Sequence, residues 1–291
     1  MKNLIITLFK GMFIGGTMLI PGVSGGSMAI ILGIYDRLIS AISRFFKSIK
    51  SNIIFLAVFA VGAVAGMILL ANPIYYLKEL FEKPVMFFFI GCVAGSIPMM
   101  VKKAQVRKVS WKCFVFPIVG ALFVVLITFV PTGTTGTEMS GGVLDYLLLI
   151  FAGFLAAIAL VLPGISVSFF LVLIGVYDDL IASIKNLNIP FLIPIFIGLV
   201  LGIILTTKLL EAAMNKFPQP TYLIILGFIV GSIVEIFPGL PGNIFEYIIC
   251  AITLVLGYLF IWLISRLEKN KDITQDETLS ASAEKVHDSN K

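Results

Sequence analysis

The stretch PGVSGGSMAIILGIYDRLI, Pro21 to Ile39, returns 142 residues later as PGISVSFFLVLIGVYDDLI, Pro163 to Ile181. Eight of the nineteen aligned positions are identical, including Pro-Gly-x-Ser and a downstream Gly-x-Tyr-Asp. A second block recurs at a shift of 136. It lays Gly62, Gly66, Phe81, Pro84, Gly91, Gly95, Ser96 and Ile97 on Gly198, Gly202, Phe217, Pro220, Gly227, Gly231, Ser232 and Ile233. The repeating unit is about 130 residues, too long for a solenoid repeat and suited to one half of a transporter.

Hydrophobic residues make up 59% of the 291 and charged residues 13%, with a mean hydropathy of +1.08. A soluble domain is about half apolar and a quarter charged, so lipid is the main solvent here. The apolar runs are of helical length and lack the period-2 alternation of a barrel strand. The fold class expected is therefore an all-α polytopic membrane protein of two inverted repeats, each a re-entrant helical hairpin plus three transmembrane helices. The 21 Lys and Arg exceed the 16 Asp and Glu. They sit in short loops between spans, where they report orientation and not nucleic-acid binding. Cys92, Cys113 and Cys250 show no metal or disulfide spacing. Lys10 interrupts the apolar run that follows Lys2, so the start reads as structure and not as a signal peptide.

The first repeat is assigned to residues 1–131, with a hairpin at 8–43 and spans at 53–71, 84–101 and 113–131. An outer loop at 132–143 leads to the second repeat, 144–267, with a hairpin at 144–184 and spans at 190–207, 221–237 and 246–265. Three spans per copy is odd, which inverts one copy against the other. If each hairpin returns to the side it entered from, the inner face collects Lys2, Arg44, Lys47, Lys50, Lys102, Lys103, Arg107, Lys108, Lys112, Lys208, Lys216, Arg266, Lys269 and Lys271. The outer face keeps only Lys78, Lys83 and Lys185. This is the positive-inside pattern, with both termini cytoplasmic. From Gly22 to Tyr35 and from Gly164 to Tyr177 there are fourteen residues, about 20 Å of helix against a hydrocarbon core of roughly 30 Å. Re-entry is the expectation, although charge alone fits a full crossing equally well. Residues 268–291 are polar and mixed in charge, and read as a disordered cytoplasmic tail.

The chemistry gathers at the breaks. Pro21 and Gly22 end the incoming helix, and Ser24, Gly25, Gly26 and Ser27 open the outgoing one. Free N–H groups at a helix start carry about half a positive charge, and glycine lets a ligand approach the backbone. Pro163, Gly164, Ser166 and Ser168 repeat the arrangement, with Val167 and Phe169 in place of Gly25 and Ser27. The two ends together suit a phosphate or carboxylate near the midplane. The bland alternative is a tight turn with serines bonded to their own helix.

Charge partners considered are Lys10, which faces an anion or snorkels to the interface, and Asp36, Arg37 and Asp178, where the hairpins regain water. Glu235 is either a proton carrier or an interfacial residue. The GxxxG pairs read as close helix packing. The only His, His287, lies in the tail, and HExxH, GxSxG and P-loop spacings are missing. No enzyme, metal site or cofactor is expected.

Carried by PGVSGGSMAIILGIYD and LPGISVSFFLVLIGVYD, the chain resembles bacterial polyprenyl-phosphate transporters, the PopT type of undecaprenyl-phosphate flippase once grouped as a domain of unknown function. The resemblance covers nearly all but the tail. It implies return of the polyprenyl-phosphate carrier freed by cell-wall synthesis to the cytoplasmic leaflet. The family's second motif usually reads PGISGS, so Val167 is a departure. A transporter or channel for a small soluble anion, and a scaffold that transports nothing, remain alternatives; oligomeric state is left open.

Overall fold

The computed structural model describes residues 2–19, 23–106, 110–129, 142–264 and 266. Among these the ordered elements are all helical. In chain order they are α1 (Lys2–Thr17), α2 (Gly25–Ile31), α3 (Tyr35–Ser43), α4 (Ile49–Leu77), α5 (Glu79–Lys103), α6 (Lys112–Thr128), α7 (Val143–Val161), α8 (Val167–Ile174), α9 (Tyr177–Lys185), α10 (Ile189–Lys216), α11 (Pro218–Ile236) and α12 (Ile244–Ile264). Six of them, α4, α5, α7, α10, α11 and α12, are long and apolar enough to cross a membrane. The chain is a multi-pass membrane protein. The outer loop from 132 to 141 and the tail 268–291 lie outside the described residues.

The spans run longer than the apolar runs suggested, since α4 begins at Ile49 and α10 ends at Lys216. The entering arm of the second hairpin, α7, has 19 residues, about 28 Å of helix, and so reaches crossing length by itself. Its counterpart α1 has 16. Helical dihedrals break at Phe81 (φ −139°, ψ 48°), in the first turn of α5, and at the matched Phe217 (φ −132°, ψ 61°) between α10 and α11.

The outgoing arms are shorter than expected. The fourteen-residue stretches reach only seven residues of helix in α2 and eight in α8. The reason lies in the repeated glycine of Gly-x-Tyr-Asp. Gly33 takes φ 66° while its N–H bonds Ile30 O at 2.9 Å and the Ile34 N–H bonds Ala29 O at 2.9 Å. Gly175 takes φ 81° with the same pair, Gly175 N–H to Val172 O at 2.9 Å and Val176 N–H to Leu171 O at 3.0 Å. This is the Schellman ending, which satisfies the last carbonyls only if one residue is left-handed. After it α3 departs from α2 at 115°. Gly33→Ala and Gly175→Ala are each expected to cost about 1–2 kcal/mol, since a Cβ is strained in that conformation; thermal unfolding of each variant in detergent measures it.

Four helix pairs pack through glycines with backbones nearly touching. A side chain at Gly62 or Gly66 of α4 would run into the Leu8 or Met12 carbonyl of α1. At the matched positions, Gly198 and Gly202 of α10 meet Ile150 and Phe154 of α7. Gly91 and Gly95 of α5 abut Leu254 and Tyr258 of α12, while Gly227 and Gly231 of α11 abut Pro117 and Ala121 of α6. In every pair the numbers rise together along both helices, so the partners run parallel. Small residues permit this approach where lipid supplies no hydrophobic drive between helices. The last helix of each copy thus packs on the fifth-position helix of the other.

The largest core surrounds α2. Gly26 to Ile31 are all buried, and Ile14, Tyr35, Met86, Val93, Met100, Leu210, Leu223, Ile229 and Ile261 pack around them from both copies. The second hairpin has a smaller cluster of its own, around Leu149, Leu171, Val176, Phe191 and Ile195.

Candidate functional site

Pro21 and Gly22 lie outside the described residues; the first break is described from Val23 onward. Ser24 is extended (φ −76°, ψ 131°) at the start of α2, and its side chain makes no capping bond. The first N–H groups of α2 are therefore left without a capping side chain from Ser24. In the second break Leu162 turns extended at the end of α7, Gly164 takes φ +79°, and Ser166 (φ −84°, ψ 125°) opens α8, again without a side-chain cap. Gly164 lies so close to the Phe228 carbonyl of α11 that no larger residue fits. The side chain of Ser168 lies outside the described residues.

The two breaks meet. A Cβ built on Gly26 would stand 3.1 Å from Pro163 Cα, so the start of α2 rests on the second Pro-Gly turn. One residue on, the Ser27 hydroxyl is buried, with the residue 3% exposed, and has no hydrogen-bond partner. A buried hydroxyl left unsatisfied costs about 1–3 kcal/mol, and native structures keep few of them. Gly25 stands against the Met18 side chain, whose Sδ would lie 2.8 Å from a Cβ there. Tyr35, at the far end of α2, is buried and donates its hydroxyl hydrogen to Val161 O at 2.7 Å, tying the first hairpin to the end of α7. The ring is inside the protein and not at the membrane surface.

The charged candidates fall in different places. Lys10 Nζ donates to Leu32 O at 2.6 Å, at the carbonyl end of α2 and not at its N–H end. That position favours a cation, because the helix dipole is negative there. Asp36 pairs with Lys103 at 2.6 Å through one oxygen, while its other oxygen is buried without a partner. Arg37 is exposed, with its guanidinium 5.0 Å over the Phe55 ring and one nitrogen 3.4 Å from Ser51 Oγ. Asp178 is exposed in the first turn of α9. Glu235 lies on α11 beside the Ser166 side chain of the second break. Only Glu235 is thereby brought to either break.

Two contacts were invisible in the sequence. Glu211 of α10 binds Arg44 Nε at 2.6 Å and also the Ser43 hydroxyl, linking the end of α3 to the second copy. Lys103 joins α5 to α3 through Asp36. Both pair residues far apart in the chain, and no local pattern marks them. Among the described residues no three of His, Cys, Asp and Glu gather into a metal-ligand group.

Residues 14–246 match the family model described as undecaprenyl phosphate translocase-like. The chain belongs to the undecaprenyl phosphate translocase-like family. The match spans both breaks and every helix from α2 to α11. A polyprenyl-phosphate transporter of Staphylococcus aureus is 30% identical over 267 residues, 87% of this chain and 93% of the relative. One of Vibrio cholerae is 29% identical over 251 residues, 81% of this chain and 78% of the relative. No solved structure matches. As a member of the translocase-like family the chain is a transporter and not an enzyme.

Proposed function

We propose that this protein moves a polyprenyl phosphate, such as undecaprenyl phosphate, between the leaflets of the bacterial cytoplasmic membrane, returning the spent carrier of cell-wall synthesis inward. The names of the two relatives support the substrate class. The observation that carries the site is the unpartnered, buried Ser27 hydroxyl beside the contact of Gly26 with Pro163. The head group is held there by Ser24, Gly25, Gly26 and Ser27, with Pro163, Gly164 and Ser166 lining the other side. A phosphate with one to two negative charges cannot cross hydrocarbon alone, whereas an isoprenoid tail stays in lipid. Transport then requires only a protected path for the head group.

The parallel pairs support inverted halves. Because α1 runs parallel to α4, the chain between them must return to the end it started from, as a re-entrant hairpin does. The same holds for α7 and α10. A short connection makes α5 and α6 antiparallel, yet α11 runs with α6 and α12 with α5. The second copy is therefore upside down relative to the first. Broken helices at matching positions of such halves are the geometry of an alternating transport site. With the basic ends inward, both termini are cytoplasmic.

Reconstituted protein is expected to move a polyprenyl phosphate from one liposome leaflet to the other, followed by loss of access to a membrane-impermeant phosphatase. Leak of inorganic phosphate with no lipid movement would establish the soluble-anion alternative, and absence of both would leave a scaffold.

A further inference from the structure

We propose that the cavity framed by the N-terminal ends of α1, α3 and α4 is a second binding site, for the head group of a lipid phosphate monoester at the inner membrane surface. The inference rests on the lipid-phosphate reading above and adds a station to it. The cavity encloses about 620 Å³, and its walls include Leu4, Arg37, Lys50, Ser51, Ile54 and Phe55. Leu4 lies about 20 Å along α1 from the first break, so this place is distinct from the meeting point of the breaks.

Its charge is uncompensated. Among the described residues no carboxylate lies within ion-pair distance of Arg37 or Lys50, whereas the nearby cations Arg44 and Lys103 are taken by Glu211 and Asp36. The Arg37 guanidinium is already placed, with its Cζ 5.0 Å over the Phe55 ring and one nitrogen 3.4 Å from Ser51 Oγ. A guanidinium offers paired N–H donors to two phosphate oxygens, and Lys50 adds a point charge beside it. The other walls are Thr7 and the apolar Leu4, Ile54 and Phe55, and the apolar side is open at Leu4, 37% exposed, and Ile54, 40% exposed. A soluble anion has no use for such walls, while the first isoprene units behind a lipid phosphate do. Basic pockets between helices at the cytoplasmic surface are the usual seats of anionic lipid head groups.

The opposite end of the α1–α4 pair makes the contrast. A cavity of about 640 Å³ there is walled by Leu19, Asn72, Tyr75, Glu79 and Glu82, whose carboxylates repel a phosphate. An anionic head group is thus retained at one end only, where α3 leaves the hairpin. The basic cavity is a landing place from which the carrier re-enters the inner leaflet.

Full-length protein in nanodiscs, titrated with farnesyl monophosphate and separately with inorganic phosphate, tests this. The R37Q/K50Q variant should bind the prenyl monophosphate about tenfold or more weakly at low salt, each basic residue near a surface being worth about a factor of five. R37K/K50R keeps both charges and should bind more tightly than R37Q/K50Q, and matching thermal unfolding of the variants and wild type controls for misfolding. Unchanged prenyl-phosphate affinity in R37Q/K50Q overturns the site, and an equal loss of inorganic phosphate binding overturns the lipid as occupant. S27A separates this from the transport reading. If R37Q/K50Q binds normally while S27A stops transport, only the landing site fails; if wild-type protein moves no lipid, the transport reading fails.

Discussion

Ser27→Ala is expected to leave the protein as stable as before, or up to about 1–2 kcal/mol more so, and to cut transport roughly ten- to a hundredfold. The two effects have opposite signs because the hydroxyl makes no hydrogen bond within the protein. It is buried with no partner, so deleting it removes an unsatisfied group and no internal bond. With a phosphate bound, the same hydroxyl donates a charge-assisted hydrogen bond, worth about 1.5–3 kcal/mol. Thermal unfolding and the leaflet assay on one preparation read both quantities. Ser24→Ala is the internal comparison: Ser24 is half-buried and caps nothing, so its loss should also be mild for stability. Equal transport by wild type and Ser27→Ala would remove the serine from the head-group site.

The second large effect is structural. Gly66→Ala should destabilise the fold by about 2–3 kcal/mol, and a valine there should deplete folded protein from the membrane. The added Cβ meets the Met12 carbonyl, a backbone atom that cannot rotate aside, so α1 and α4 must separate along their whole contact. Gly198→Ala should behave alike, because it faces the Ile150 carbonyl of α7 in the same way. Gly242→Ala should be silent: its nearest neighbour is a Glu246 carboxylate oxygen 3.5 Å away. Detergent melting curves of the three variants check the ranking. A Gly66→Ala protein that melts with the wild type would mean that the two helices do not touch there.

How much of this could be read beforehand differs by feature. The helical membrane class followed from composition, and the breaks from the doubled Pro-Gly-x-Ser. The glycine pairs were legible as packing residues, because a bare Cα every fourth residue has few other uses in lipid. Their partners were not. Nothing near Gly91 names Leu254, since the contact depends on two helices from different copies lying side by side. The glycine of Gly-x-Tyr-Asp was seen as part of a repeat but not as a helix stop, which requires the left-handed φ of Gly33 and Gly175. Counting residues to the tyrosine therefore overestimated the helix in the arms. The basic cavity escaped because Leu4, Arg37 and Ile54 carry no joint pattern in one dimension. At the proposed site, the serines stand out in the sequence by type and position. That Ser27 would be buried without a partner depends on how the second break covers it.

The crossed packing of α5 with α12 and α6 with α11 bears on how the chain is made. A ribosome delivers α5 into the membrane long before α12 exists, so the groove formed by Gly91 and Gly95 stays without its occupant until the final span emerges. Neither copy completes its interior while the other is missing. Assembly must wait for the last segment, and the N-terminal half spends synthesis as an open intermediate of the kind that membrane chaperones and proteases recognise.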